Sequence, residues 1–110
     1  MNVHGFKEIL DLYEEMTPEE FDEEFGEDVR RLIQNAKKGR MVIRIIEGGN
    51  EYLKVGDSVS GTTRAFSEGL PLVIEYPNGH YQSTGIERID WQADTFKTLC
   101  SVYHFHFLDE

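Results

Sequence analysis

The sequence lacks most of the features that would identify a function directly. Cys100 is the single cysteine, so no internal disulfide can form, and a reduced intracellular setting is the natural expectation. In an apolar strand, we expect this cysteine to be a small buried hydrophobe. The chain has no apolar run near the ~20 residues that span a bilayer and no glycine-rich phosphate loop. Its first ten residues lack the basic start and apolar run of a signal peptide, so we do not expect one there. We therefore expect a cytoplasmic protein that is not an enzyme, holds no cofactor and binds no membrane.

Basic residues are also scarce, and one segment has none. Residues 8–28 contain eleven of the chain's 21 acidic residues and no lysine or arginine. The net charge is -10 and the pI is about 4.8. Such a charge disfavours direct binding of nucleic acid, which is a polyanion, and favours a protein partner with a basic surface. Solubility alone is the simpler alternative explanation.

The acidic segment has the pattern of two helices. Apolar residues at helical spacing predict the first helix from about His4 to Met16. Thr17 and Glu20 predict a capping box that starts the second helix, with Pro18 at its first position. We extend this helix through Gly26, where it can break or kink, to Gly39 as its stop.

Beyond residue 39 the apolar pattern changes to that of strands. We predict strands over 40–47, 70–76, 81–89, 95–99 and 101–108, with turns at 48–50, 77–80 and 90–94 and a bulge at Gly85. The stretch from Val55 to Thr62 (VGDSVSGT) resembles the opening strand of small SH3-like barrels. In those barrels Gly-Asp makes the turn and the next valine, here Val59, points into the barrel. The resemblance implies an SH3-like fold over about residues 40–108.

Together these patterns predict one α+β domain over residues 1–110. It divides into a helical arm at 1–39 and a β-rich part at 40–110. Two acidic helices are expected to pack on a bent antiparallel sheet of five or six strands, or on a partly open SH3-like barrel.

The helix start and the helix dipole explain only part of the acidic run, such as Glu19 and Glu20. Six other carboxylates and two aromatic side chains form the predicted partner-binding set. They are Glu14, Glu15, Glu23, Glu24, Glu27, Asp28, Tyr81 and Trp91. We interpret the chain as a small non-enzymatic interaction module that binds a basic protein partner, with charge steering the encounter and aromatic anchors holding it.

Three other interpretations stay open at this stage. Rows of helical carboxylates can imitate nucleic-acid phosphates, as in acidic inhibitors of phage or mobile-element origin. His104 and His106 share one face of a strand and can serve a metal-binding or enzymatic domain; a metal site needs a third ligand beside them. A homodimer can form if the final strand, with Tyr103, Phe105 and Phe107, lies at a sheet edge.

Overall fold

The fold joins a layer of three short helices to a closed barrel of six antiparallel strands. The computed structural model describes residues 5–49 and 53–108. The helices are α1 (Phe6–Glu15), α2 (Pro18–Phe25) and α3 (Glu27–Asn35). The strands are β1 (Lys37–Gly48), β2 (Ser58–Phe66), β3 (Pro71–Tyr76), β4 (Gly79–Asp90), β5 (Thr95–Thr98) and β6 (Ser101–Phe107). Among the described residues, no helix is both long and apolar enough to cross a membrane.

The barrel closes because β1 pairs with a strand on each side. Met41 of β1 lies opposite Gly61 of β2 and also opposite Phe107 of β6. The predicted α+β class, with N-terminal helices on a small barrel, is confirmed. The barrel is closed rather than partly open. β6 is not at a sheet edge, because it is paired with β1 and β5 and its aromatic side chains are buried, so edge pairing through β6 is not available; the homodimer itself stays a prediction.

Apolar side chains form two separate cores. One fills the barrel, and the aromatic residues Phe66, Phe96 and Phe105 pack together at one end of it. The other lies between the helices and the outer face of β2 and β3, and it contains Phe21 of α2 and Val73 of β3. The helices therefore cover one side of the barrel and leave the β5–β6 side uncovered.

The capping box predicted at Thr17 is confirmed. The Thr17 hydroxyl accepts a hydrogen bond from the Glu20 backbone N–H at 3.2 Å, and the Glu20 carboxylate accepts one from the Thr17 N–H at 3.1 Å. The predicted second helix is in fact two helices. Gly26 separates α2 from α3 with a φ of 98°, a conformation that glycine adopts without steric cost.

The predicted end of the helices at Gly39 is wrong. The last helix ends at Asn35, and Lys37 and Gly39 already belong to β1, paired with Phe66 and Thr63. Two lysines followed by glycine are typical of a helix end, but pairing with β2 overrides that local preference. The predicted helix start at His4 and the turn residue Asn50 lie outside the described residues.

The turns of the barrel follow the sequence with one shift. Gly56 has a φ of 97°, the Asp57 carboxylate accepts a hydrogen bond from the Lys54 N–H, and Val59 packs against the barrel core, as the SH3-like resemblance implies.

In the β3–β4 hairpin, however, Tyr76 pairs with Gly79. The central residues of that turn are therefore Pro77 and Asn78, rather than the predicted Asn-Gly pair.

Candidate functional site

The predicted contact carboxylates lie on the helical layer, but they differ in their surroundings. Glu14, near the end of α1, forms an ion pair with Arg64 of β2. The same guanidinium contacts Asp11 at 2.8 Å and donates from Nε to Glu75 of β3 at 3.0 Å. One arginine thus joins α1 to the barrel. Glu14 has a structural role here that its position in the sequence did not indicate.

Arg64 is held in its charged form by this carboxylate cluster. Partial burial opposes the charge, but hydrogen bonds to Glu75, Asp11 and Glu14 outweigh that effect and raise the pKa of the guanidinium. The hydrogen bond from Arg64 in turn lowers the pKa of Asp11 below its usual value. The contact is therefore a charge network that fixes the position of α1.

Replacing Arg64 with methionine is expected to lower the free energy of unfolding by about 1–3 kcal/mol, because the carboxylates lose a shared, half-buried cation. Methionine keeps most of the aliphatic packing. Chemical denaturation followed by circular dichroism measures the change. Arg88→Met is the matched control, since Arg88 is exposed and forms no ion pair with the described residues. Equal shifts in the two variants would contradict the proposed role of the network.

The effect of Arg64→Met should depend on pH in a defined direction. Because the pKa of Asp11 is lower in the folded protein than in the unfolded chain, its stabilising contribution is present above the unfolded pKa and is lost as the pH falls through the folded pKa. The difference between the wild type and Arg64→Met should be largest near neutral pH and should shrink below about pH 4. A constant difference over that range would point to lost packing instead.

A second set of ion pairs joins α2 to α3. Arg30 donates to Asp22 at 2.6 Å and approaches Glu27 at 3.9 Å, and Arg31 also forms an ion pair with Glu27. The hydrogen bond to Asp22 raises the pKa of Arg30. Glu27, one of the predicted contact residues, therefore has a structural explanation within the helical layer.

Apart from Glu20, which is engaged in the capping box, five exposed carboxylates of α1, α2 and α3 are described without an ion pair to the described residues. We call them the acidic helical surface: Glu15, Glu19, Glu23, Glu24 and Asp28. Glu19 and Asp28 stand in the first turns of α2 and α3, where the helix dipole favours negative charge. Glu15 ends α1, and Glu23 and Glu24 stand in the last turn of α2, where the dipole disfavours negative charge.

Tyr81, predicted as an exposed aromatic anchor, is buried inside the barrel and is only 7% exposed. Its hydroxyl lies 2.8 Å from the hydroxyl of Tyr103 across the barrel interior. Burial, together with this hydrogen bond, raises the pKa of Tyr103. The prediction that Tyr81 is an exposed anchor is wrong because its side chain lies on the inner face of β4. Tyr81 therefore contributes to the barrel core and not to a contact surface.

Trp91, the other predicted anchor, is half exposed at 52%. One side of its ring packs edge-on against Phe66 and Phe105, at centroid distances of 5.5 and 5.6 Å. The Lys37 ammonium lies 5.9 Å from its centre. The residue closes one end of the barrel core with one side of the ring and presents the rest to solvent, so it stays a candidate contact residue.

The two histidines lie on the outer face of β6, as predicted. His104 and His106 are exposed, and across the strands His104 faces Arg44 and Thr95. Within the described ranges, no third histidine, cysteine, aspartate or glutamate completes a metal-binding group with them. Cys100 is exposed in the β5–β6 turn, so the expectation of a buried cysteine is wrong.

Sequence reasoning missed the charged surface on the opposite side of the barrel. We call it the basic barrel face: Arg40, Arg44, Lys97, His104 and His106. Its signal was present, because Arg40 and Arg44 alternate with the buried residues of β1. The register of three strands was needed to bring these side chains together. Arg64 gave no such signal, because its partners come from α1 and β3.

Comparison with protein-family models, curated proteins and solved structures finds no match to this chain.

Proposed function

We propose that this protein is a non-enzymatic interaction module that binds a basic protein partner through the acidic helical surface. The observation that carries the proposal is the position of Glu15, Glu23 and Glu24. Each is exposed near the C-terminal end of a helix, and none forms an ion pair with the described residues. A basic partner would supply the missing positive charge.

These positions have a cost to the stability of the free protein. A carboxylate in the last turn of a helix costs about 0.3–1 kcal/mol through the helix dipole. Glu19 and Glu23 are also four residues apart on α2, a spacing at which like charges repel. Local features that oppose stability without compensation are typical of functional surfaces. The ion pairs of Glu14 and Glu27 carry no such implication, because they stabilise the helical layer itself.

Nucleic-acid mimicry is less well supported by the same geometry. That function requires a continuous row of carboxylates available to the target, but Glu14 and Glu27 are engaged by arginines of this chain. The metal-binding alternative rests on His104 and His106 alone within the described residues. We therefore propose only the interaction module, and Trp91 stays a candidate contact residue at the barrel end.

The test uses the triple variant Glu15→Gln, Glu23→Gln, Glu24→Gln. It should raise the free energy of unfolding by about 1 kcal/mol, because three unfavourable charges at helix ends are removed. It should also abolish the salt-sensitive recovery of a basic partner captured from the native cell extract. Chemical denaturation and quantitative affinity capture measure the two effects on the same protein.

A matched variant controls for net charge. Glu47→Gln, Glu87→Gln, Asp94→Asn removes three exposed carboxylates from the barrel and should leave partner recovery unchanged. Asparagine tolerates the positive φ of 56° at residue 94. If both triple variants recover the partner as well as the wild type does, the acidic helical surface is not the binding site.

A further inference from the structure

Charge is strongly segregated between the two parts of this molecule. Residues 5–36, which form the helical layer, contain eleven acidic and three basic residues. The described residues of the barrel, 37–49 and 53–108, contain seven acidic and eight basic residues. The large negative charge of the chain therefore belongs to the helices, and the barrel is almost neutral.

The basic barrel face concentrates positive charge within the barrel. Arg40 and Arg44 point outward from β1, and Arg44 lies beside His104 on β6. Lys97 extends the face onto β5. Neither β5 nor β6 contains an acidic residue. The carboxylates that border the face are Glu47 of β1, opposite Val102 of β6, and Asp90 of β4, opposite Thr95 of β5. Arg44 and Lys97 form no ion pair with the described residues.

The two charged surfaces lie apart within one molecule. The helices pack on β2 and β3, through residues such as Ala65 and Val73. In the closed strand order, β5 and β6 stand across the barrel from β2 and β3. Lys97, His104 and His106 therefore face away from the helical layer, while Arg44 lies on β1 between them and β2. The acidic helical surface forms no ion pair with this face in the described residues, so we expect the two surfaces to come together between two molecules.

We propose that the basic barrel face binds the acidic helical surface of a second copy of this chain. The inference rests on the proposed function and names the basic partner as the protein itself. The contact joins two different surfaces, so each molecule keeps one of each available, and association is head-to-tail. Such contacts give rings when the rotation closes and open chains when it does not.

The chemistry of the face favours this occupant over nucleic acid. Ile46 and Leu108 are exposed on the same strands and bordering turn, at 41% and 43%, and aliphatic side chains suit a protein contact. The outward positions of β5 and β6 carry two imidazoles but no phenylalanine, tyrosine or tryptophan, so they offer little aromatic surface to a base. The helical layer also repels a polyanion, whereas it is the attractive element when the partner is a second copy.

Sedimentation velocity of the full chain over a range of protein concentrations tests the proposal. The wild type should associate increasingly with concentration at low ionic strength. It should dissociate at high salt, because the screening length falls from about 10 Å at 0.1 M to about 3 Å at 1 M. Glu15→Lys, Glu23→Lys, Glu24→Lys and, separately, Arg44→Glu, Lys97→Glu should each weaken association at least about tenfold.

Mixing the two charge-reversed proteins gives the decisive measurement. Each presents its reversed surface to a complementary surface on the other, so an equimolar mixture should associate again although neither protein does alone. If a reversed protein fails to fold by circular dichroism, Arg44→Gln, Lys97→Gln replaces it, and loss of association is then the readout. Association that persists in both variants, or a mixture that stays monomeric, would overturn the proposal.

Failure of this inference can be separated from failure of the proposed function. Suppose that the wild type stays monomeric at low salt, and that it captures a basic partner which the triple glutamine variant does not recover. This pair of results overturns head-to-tail assembly and leaves the proposed function standing. A labelled single-stranded oligonucleotide provides the other test. If the monomeric wild type binds it and Arg44→Glu, Lys97→Glu abolishes that binding, the basic barrel face binds a polyanion, and the proposal is overturned.

Discussion

Replacement of Phe21 by alanine should lower the free energy of unfolding by about 3–5 kcal/mol, because a large ring is removed from a packed site. Phe21 is 1% exposed and lies at the centre of the helical layer. Its ring packs edge-on against Tyr13 at 5.5 Å and at a tilt against Phe25 at 4.8 Å. It is the buried residue of α2, so its loss should release the helix that presents Glu23 and Glu24.

Two probes distinguish loss of the helical layer from loss of the whole fold. Circular dichroism follows the helices, and fluorescence of Trp91 follows the barrel end, which Phe21 does not touch. In Phe21→Ala the helical signal should be lost at a lower denaturant concentration than the fluorescence signal. Leu99→Ala, at a side chain 72% exposed, is the control and should stay within about 0.5 kcal/mol of the wild type. If the free energy of unfolding of Phe21→Ala also stayed within about 0.5 kcal/mol of the wild type, the central role of this ring would be contradicted.

The barrel should be equally sensitive at Phe66. Phe66→Ala is expected to cost about 3–5 kcal/mol, because the ring is 1% exposed and its loss leaves a cavity among other aromatic side chains. Phe66 packs against Phe105 at 4.8 Å, Phe96 at 5.4 Å and Trp91 at 5.5 Å. Unlike Phe21→Ala, this change should shift the fluorescence of Trp91, and both probes should report the same midpoint.

Phe66→Leu separates packing from aromatic geometry. Leucine restores most of the lost apolar volume, so it should recover more than half of the stability lost in Phe66→Ala. Denaturant unfolding of the wild type and the two variants under one set of conditions measures this. Equal losses for leucine and alanine would show that ring geometry, and not volume, dominates at this site.

The sequence predicts the elements that depend on local chemistry. Thr17 and Glu20 specify a helix start through their own side chains, and the alternation in β6 specifies which residues face inward. The small barrel follows from these short strands and from the Gly56 turn. Each of these signals lies within a few neighbouring residues, which is why they could be identified without the structure.

Features that depend on distant partners could not be predicted in this way. Gly39 has the local chemistry of a helix stop, but strand pairing with Thr63 decides its conformation. Tyr81 follows a polar turn, yet its hydroxyl finds Tyr103 inside the barrel and the residue is buried. Arg64 engages Glu14 fifty positions away. One of the two α1 carboxylates in the predicted partner-binding set therefore stabilises the fold instead.

The strand that closes the barrel also sets when the protein can fold. β1 comes first among the strands, but along one edge it pairs with β6, the last, with Met41 opposite Phe107. Contacts between residues so far apart in the chain have a high entropic cost of loop closure, and they are associated with slow folding. During synthesis β1 must therefore wait, unpaired on one side, until almost the whole described chain has been made. In that interval the charged side chains of Arg40 and Arg44 help to keep the waiting strand from pairing with other chains.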